Sequence, residues 1–191
     1  MNVWPYFSLG WEHIISLYAT DHQLFILTLL VGKTMRDHRH LLILVTIFTI
    51  GHSMTLVLAS GGYLQISTYW VELFIPISIF LTAFYQWQIG FNSDSQKKFS
   101  ILVAMAGFFG LFHGLGFAKT LDSILGRSES ILMPLFGFNI GLEAGQLFFL
   151  FLILMVQELI LRIPGFKAEY WQKLVLTIAI FGSGWMVADR I

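Results

Sequence analysis

The chain has no cysteine among its 191 residues. Disulfides, thiolate ligands and iron–sulfur clusters are thereby excluded, and a transition metal can bind only through nitrogen, oxygen or a methionine thioether. Charge is scarce too. Asp, Glu, Lys and Arg make up 12% of the residues, about half the share usual in a soluble domain. The formal net charge is zero, so the basic surface that recruits nucleic acid is missing. Met1 to Gly10 contain no Lys or Arg. They lack the basic start of a signal peptide, which predicts that the first apolar segment is retained. Neither Gly-x-Ser-x-Gly nor His-Glu-x-x-His occurs, so a serine-nucleophile elbow and a zinc-protease helix are not signalled.

What the chain does hold is hydrocarbon. It is 57% hydrophobic, with 19 Phe and 7 Met, and its mean hydropathy is +0.76. A spanning helix needs about 20 mainly apolar residues. Six stretches qualify, over residues 11–32, 40–60, 70–90, 98–118, 131–159 and 171–189. Only helices and closed barrels satisfy every backbone group in lipid, and barrel strands are shorter and alternate. The expectation is an all-α integral membrane protein, with six transmembrane helices in one bundle and a single domain over residues 1–191. Its connections are brief and polar, as at Lys33–Arg39, Asn92–Lys98 and Asp122–Ser130, with turn signals at Ser60-Gly61-Gly62 and Pro164-Gly165.

Lys and Arg give an orientation. Lys33, Arg36, Arg39, Lys97, Lys98, Arg162, Lys167 and Lys173 fall on one side, and only Lys119, Arg127 and Arg190 on the other. Both termini are therefore expected outside. This turns scattered polar residues into a pattern. His13, Asp21, His22, His52, Glu72, His113, Asn139 and Glu143 occupy the outer half and middle of the bilayer, which predicts a polar cavity open to the outside and closed towards the cytoplasm.

Ionisable groups cost a few kcal/mol each in the bilayer core and are rare there unless they serve a site or pathway. Asp21-His22 is the strongest pair. Neighbours on a helix diverge by about 100°, so Asp21 is free to orient an imidazole from another helix. The alternative is a hydrogen-bonded staple. His52 lies in a stripe with Thr49 and Ser53, as a metal ligand or as an interhelical hydrogen-bonding group. His113 sits among Gly110, Gly114 and Gly116, which let a backbone or an ion come close. Asn139, Glu143 and Gln146 share one helical face, opposite a small-residue ridge of Gly137, Gly141 and Gly145. Glu143 is a candidate ligand or proton acceptor, and Glu72 a candidate ligand or capping partner. His13 precedes His22 by nine residues, about 13.5 Å and half a turn on a regular helix. The two cannot share an ion unless that helix is broken.

These phrases resemble the HupE/UreJ family of hydrogenase and urease accessory membrane proteins. The matching text is Leu9-Gly10-x-x-His13-Ile14, Ala19-Thr20-Asp21-His22-x-Leu24-Phe25 and Phe48-Thr49-Ile50-Gly51-His52-Ser53-x-Thr55-Leu56. Further along come Val71-Glu72, Ile75-Pro76-Ile77-Ser78-Ile79, Gly110-Leu111-x-His113-Gly114-Leu115-Gly116 and Phe138-Asn139-Ile140-Gly141-x-Glu143-x-Gly145-Gln146. Asp-His and Gly-His-Ser are also similar, more distantly, to phrases of nickel/cobalt permeases. The resemblance implies a six-helix protein of a prokaryotic cell membrane that supplies or takes up nickel. His22, Asp21, His52, His113 and Glu143 would line its metal route. Many family members have Gly-x-Asp-His, and here Ala19 stands at that Gly.

Imidazole and carboxylate without thiolate suit Ni, Co or Zn, and the resemblance puts nickel first. The leading expectation is a transition-metal permease or metal-supply accessory protein. Its ligands would be His22, His52 and His113, with Asp21 and Glu143 balancing charge and His13, Glu72, Asn139, Gln146 and Ser53 lining the cavity. Its partners would be the bilayer, the ion and membrane or metalloenzyme-maturation proteins, with no nucleic acid. The alternatives are an intramembrane zinc hydrolase acting on a lipid-type substrate and a structural partner of a membrane complex.

Overall fold

The computed structural model describes residues 2–90, 96–125 and 132–191. Asn92 and Arg127, from the expected connections and charge count, lie outside the described residues. Those residues form seven α-helices and no strand: α1 (Trp4–Ile15), α2 (Thr20–Leu30), α3 (His38–Ser60), α4 (Thr68–Ile89), α5 (Gln96–Leu125), α6 (Leu132–Leu161) and α7 (Ala168–Ala188). Five segments are long and apolar enough to cross a membrane: Met35–Ser60, Thr68–Ile89, Gln96–Ala118, Leu132–Leu161 and Ala168–Ala188. Their outward side chains suit lipid. Ile50, Met54, Phe151 and Phe181 are 50%, 55%, 50% and 74% exposed, which a water-facing surface tolerates poorly over a continuous area.

The first expected span, 11–32, is two helices rather than one, and it begins earlier, at Trp4. Their 12 and 11 residues correspond to about 18 and 16.5 Å at 1.5 Å per residue, each too short for a hydrocarbon core of about 30 Å. The chain leaves the helix at Ser16, whose ψ is 142°. It re-enters at Thr20-Asp21, where a carboxylate in the first turn complements the helix dipole. Hydropathy cannot register the break, because Leu17, Tyr18 and Ala19 are themselves apolar.

Glycine sets the two closest helix contacts. Gly137 of α6 faces Val3 and Tyr6, Gly141 faces the Phe7 carbonyl, and Gly145 faces Trp11 and Ile14 of α1. The ascending order makes α1 and α6 parallel. Gly51 abuts the Gly107 carbonyl, Gly110 the Phe48 carbonyl and Gly114 the His52 carbonyl, so α3 and α5 are also parallel. A Cβ at Gly114 or Gly141 would run into backbone, leaving no outlet but separation of the helices.

Two apolar clusters fill the interior. One gathers Phe25, Leu44, Phe48, Ile79, Leu102 and Leu176, and the other Ile14, Leu56, Phe117, Phe138, Leu142 and Leu154. The histidines lie where these clusters meet.

Candidate metal centre

Four histidines from four helices converge. His13 ends α1, His22 opens α2, His52 lies on α3 and His113 on α5. The His13 ring centroid stands 4.6 Å from that of His22 and 5.9 Å from that of His52. His22 stands 6.1 Å from His52 and 4.8 Å from His113. The broken first helix makes this possible. The Ser16–Ala19 segment returns the chain so that residues nine apart face each other, which an unbroken helix forbids. Phe rings wall the cluster: Phe117 at 4.4 Å and Phe138 at 5.7 Å from His13, and Phe48 at 5.0 Å and Phe25 at 5.7 Å from His113.

The ring nitrogens divide into two kinds. His22 Nδ1 lies 2.9 Å from Asp21 Oδ1, and His113 Nδ1 lies 2.9 Å from the Phe109 carbonyl oxygen. A carbonyl only accepts, so His113 Nδ1 carries the proton and Nε2 holds the lone pair. An ionised Asp21 imposes the same tautomer on His22. Nε2 of His13, His22 and His113 and both nitrogens of His52 are buried without a hydrogen-bond partner. A buried polar atom left unpaired costs about 1–3 kcal/mol, and five such nitrogens lie together here. Four imidazoles on a tetrahedral ion at about 2.0–2.1 Å would have ring centres roughly 5 Å apart, within the range of spacings here. The donor set therefore fits a borderline divalent metal. Among the described residues no three His, Asp or Glu side chains already stand in coordinating geometry.

Asp21 orients its own neighbour. Its Oδ1 accepts from the backbone N–H of His22 at 2.8 Å as well as from the His22 ring. The first turn of a helix has free N–H groups, which lets the short Asp side chain fold back over the residue that follows. The expectation that Asp21 serves an imidazole from another helix is corrected accordingly. Beside this pair opens a cleft of about 430 Å³, lined by Glu12, His13, Ser16, Tyr18, Ala19, Asp21 and His22.

The other polar residues are placed elsewhere. Ser53 Oγ donates to Asn139 Oδ1 at 2.7 Å, Thr46 Oγ1 to Glu143 Oε1 at 2.7 Å, and Thr49 Oγ1 to Gln146 Oε1 at 2.9 Å. Asn139, Glu143 and Gln146 thus line a seam between α3 and α6. Thr49 and Ser53 part company with His52, because residues 52 and 53 diverge by about 100° on the helix. The single stripe expected on this helix is two faces. Glu72 is exposed near the start of α4, where its backbone carbonyl accepts from Arg190. None of Ser53, Glu72, Asn139, Glu143 and Gln146 hydrogen-bonds an imidazole among the described residues.

Sequence reasoning missed Gln23. Its Nε2 donates to the Ile14 carbonyl at 3.0 Å and to the Ser16 carbonyl at 2.9 Å, across the break. The available signal was a long amide two residues after Thr20-Asp21, a helix-start pair inside an apolar run. Phe117 and Phe138 were also passed over, since a phenylalanine among 19 carries no mark of its site.

No curated protein and no solved structure matches the chain. The family described as HupE / UreJ protein matches residues 1–189; with four converging histidines on the motifs that resemble it, the chain belongs to the HupE/UreJ family.

Proposed function

We propose that the chain binds and passes a divalent transition metal, nickel first, at its four-histidine cluster, as a permease or metal-supply protein of a prokaryotic cell membrane. The observation that carries this reading is the set of buried, unpartnered imidazole nitrogens at the junction of four helices. The family is associated with nickel supply for hydrogenase and urease, and maturation proteins of such enzymes are the corresponding partners. His22, His52, His113 and His13 supply nitrogen, after ring rotations that bring their Nε2 or Nδ1 atoms inward. Asp21 fixes the His22 tautomer and offsets the charge of the ion. Glu143, Asn139, Gln146 and Ser53 hold α3 to α6 beside it.

In this reading α1 and α2 together replace one span. α1 lies along residues 137–145 of α6, while the Lys33 carbonyl, beyond α2, accepts from Gln157 Nε2 at 2.9 Å. From 137 to 157 is 20 residues, about 30 Å of helix, the thickness of the hydrocarbon core. Six crossings with both termini outside follow, and impermeant thiol labels on Asn2→Cys and Ile191→Cys test that directly. Labelling of either from the cytoplasmic side alone overturns the topology.

The deciding experiment is elemental analysis of purified protein after expression with mixed trace metals, beside His22→Ala and His52→Ala. Near-stoichiometric metal, lost in both variants together with cellular nickel uptake, supports the proposal. No metal in the wild type after reloading at about pH 7.5, above the ordinary imidazole pKa, overturns it. A second reading, an intramembrane zinc-dependent hydrolase, draws on the cleft of about 430 Å³ beside His13 and His22, which gives a substrate room next to an ion. Stoichiometric zinc with no uptake, and with hydrolysis of a lipid-type ester, selects it.

A further inference from the structure

The break between α1 and α2 poses a backbone problem in lipid. The last carbonyls of α1 have no partner within their own helix, and an unsatisfied backbone group in hydrocarbon is costly. The segment answers part of this itself. The Ser16 N–H bonds the Glu12 carbonyl at 3.0 Å, the Ala19 N–H bonds the Ser16 carbonyl at 3.0 Å, and Thr20 Oγ1 donates to the Leu17 carbonyl at 3.3 Å. The Ile14 carbonyl receives Gln23 Nε2, which also reaches Ser16. Only the amide NH₂ can donate to two carbonyls at once, so chemistry fixes which way this side chain faces. These two bonds run from the first turn of α2 to the end of α1, immediately beside His13 and one residue beyond His22.

We infer that Gln23 is a positioning residue that clamps the two half-helices at the angle which sets the His13 ring against His22. Without it, α1 would still be gripped by α6 through Gly137, Gly141 and Gly145, and α2 by its own contacts. What would be lost is the fixed junction, so the His13–His22 spacing would widen and vary while the rest of the bundle stayed in place. The clamp itself is independent of any ion. Its consequence for binding rests on the proposed metal reading.

The test uses the full chain, purified metal-free, with Gln23→Ala and Gln23→Met. Met keeps the length and volume of Gln and packs readily, so it removes the donors without opening a cavity. Because the chain has no cysteine, spin labels at Trp4→Cys on α1 and Thr20→Cys at the start of α2 report the junction by pulsed electron resonance. A distance distribution broadened in both variants is the expected result. An unchanged distribution in the Met variant overturns the clamp. Co²⁺ is then titrated as a coloured probe. The variants are expected to bind it roughly tenfold more weakly, with the ligand-field spectrum of His13→Ala, and the double variant Gln23→Met/His13→Ala to bind no more weakly than His13→Ala alone. Wild-type spectrum and affinity in both Gln23 variants overturn the positioning role. If the wild type binds no Co²⁺, the metal reading falls, while the label distances still decide the clamp.

Discussion

Thr46, Thr49 and Ser53 leave one face of α3 and each finds a partner on α6, whereas His52 leaves a neighbouring face and neither of its ring nitrogens finds one. Both regions place polar groups inside an apolar bundle, and both use short, close helix contacts. They differ in closure. In the seam each hydroxyl meets a carboxylate or an amide of the facing helix. The histidine cluster is satisfied only in part, where Asp21 and the Phe109 carbonyl hold Nδ1 of His22 and His113. Nε2 of His13, His22 and His113 and both nitrogens of His52 have no hydrogen-bond partner. Buried polar atoms in a folded protein are nearly always paired, and five unpaired imidazole nitrogens gathered in one place are what the proposed metal reading rests on. Composition cannot make that distinction; pairing can.

The largest effect expected from breaking the contrast is on metal content. His22→Ala, His52→Ala and His113→Ala each remove a nitrogen donor and are expected to reduce bound metal below one tenth of the wild-type stoichiometry, measured on purified protein by elemental analysis. The same replacements are not expected to unfold it. His52→Leu removes two unpartnered nitrogens from a fully buried position, and an apolar group of similar size there relieves an uncompensated desolvation. The melting temperature of the metal-free protein is therefore expected to stay or rise. A fall of several degrees would place His52 among the structural polar groups.

Next in size is Asp21→Asn. The amide keeps the shape but not the charge, and its NH₂ no longer favours the tautomer that leaves Nε2 of His22 bare. Loss of such an orienting partner weakens metal binding by about 10–100-fold. Competition titration with a chelator measures it. Proton and metal compete for the same lone pairs, so affinity in the wild type and the variant alike is expected to fall as pH is lowered. Wild-type affinity in Asp21→Asn would detach Asp21 from the centre.

Much of this architecture is legible in the sequence, for reasons that also explain what is not. Apolar runs of 20 residues are forced by bilayer thickness, so six segments stand out, five of which are long helices among the described residues, and the Gly137–Gly141–Gly145 ridge announces a close contact because only missing side chains allow one. His22, His52 and His113 are visible as ionisable groups in an apolar context. His13 is visible in the same way, but its place beside His22 is not, because that depends on Ser16–Ala19 leaving the helix, and no Pro or Gly marks that turn. Glu143 shows the converse. Its cost in a membrane makes it conspicuous, yet a single hydroxyl from Thr46, 97 residues away in sequence, gives it a partner that no local pattern reveals. Helical periodicity separates faces, and it says nothing of which face another helix will answer.

The smallest effect belongs to the seam, and it is the one that sharpens the comparison most. Interhelical hydrogen bonds in membranes contribute about 0.6 kcal/mol on average and rarely more than 1.7. Thr49→Val removes the donor to a buried Gln146, and Thr46→Val removes the donor to Glu143. Each is expected to lower thermal stability modestly. Glu143→Gln is milder still, because its amide oxygen continues to accept from Thr46. Combined as Thr46→Val/Glu143→Leu, the pair is expected to cost less than the sum of its parts, since removing both partners leaves no orphan. Metal stoichiometry is expected to stay within twofold of wild type throughout, by the same elemental analysis that detects the histidine variants. Were Glu143→Gln instead to empty the protein of metal while Thr46→Val left it filled, the carboxylate would be serving the ion and not the seam, and the division drawn on α3 would have to be moved to include it.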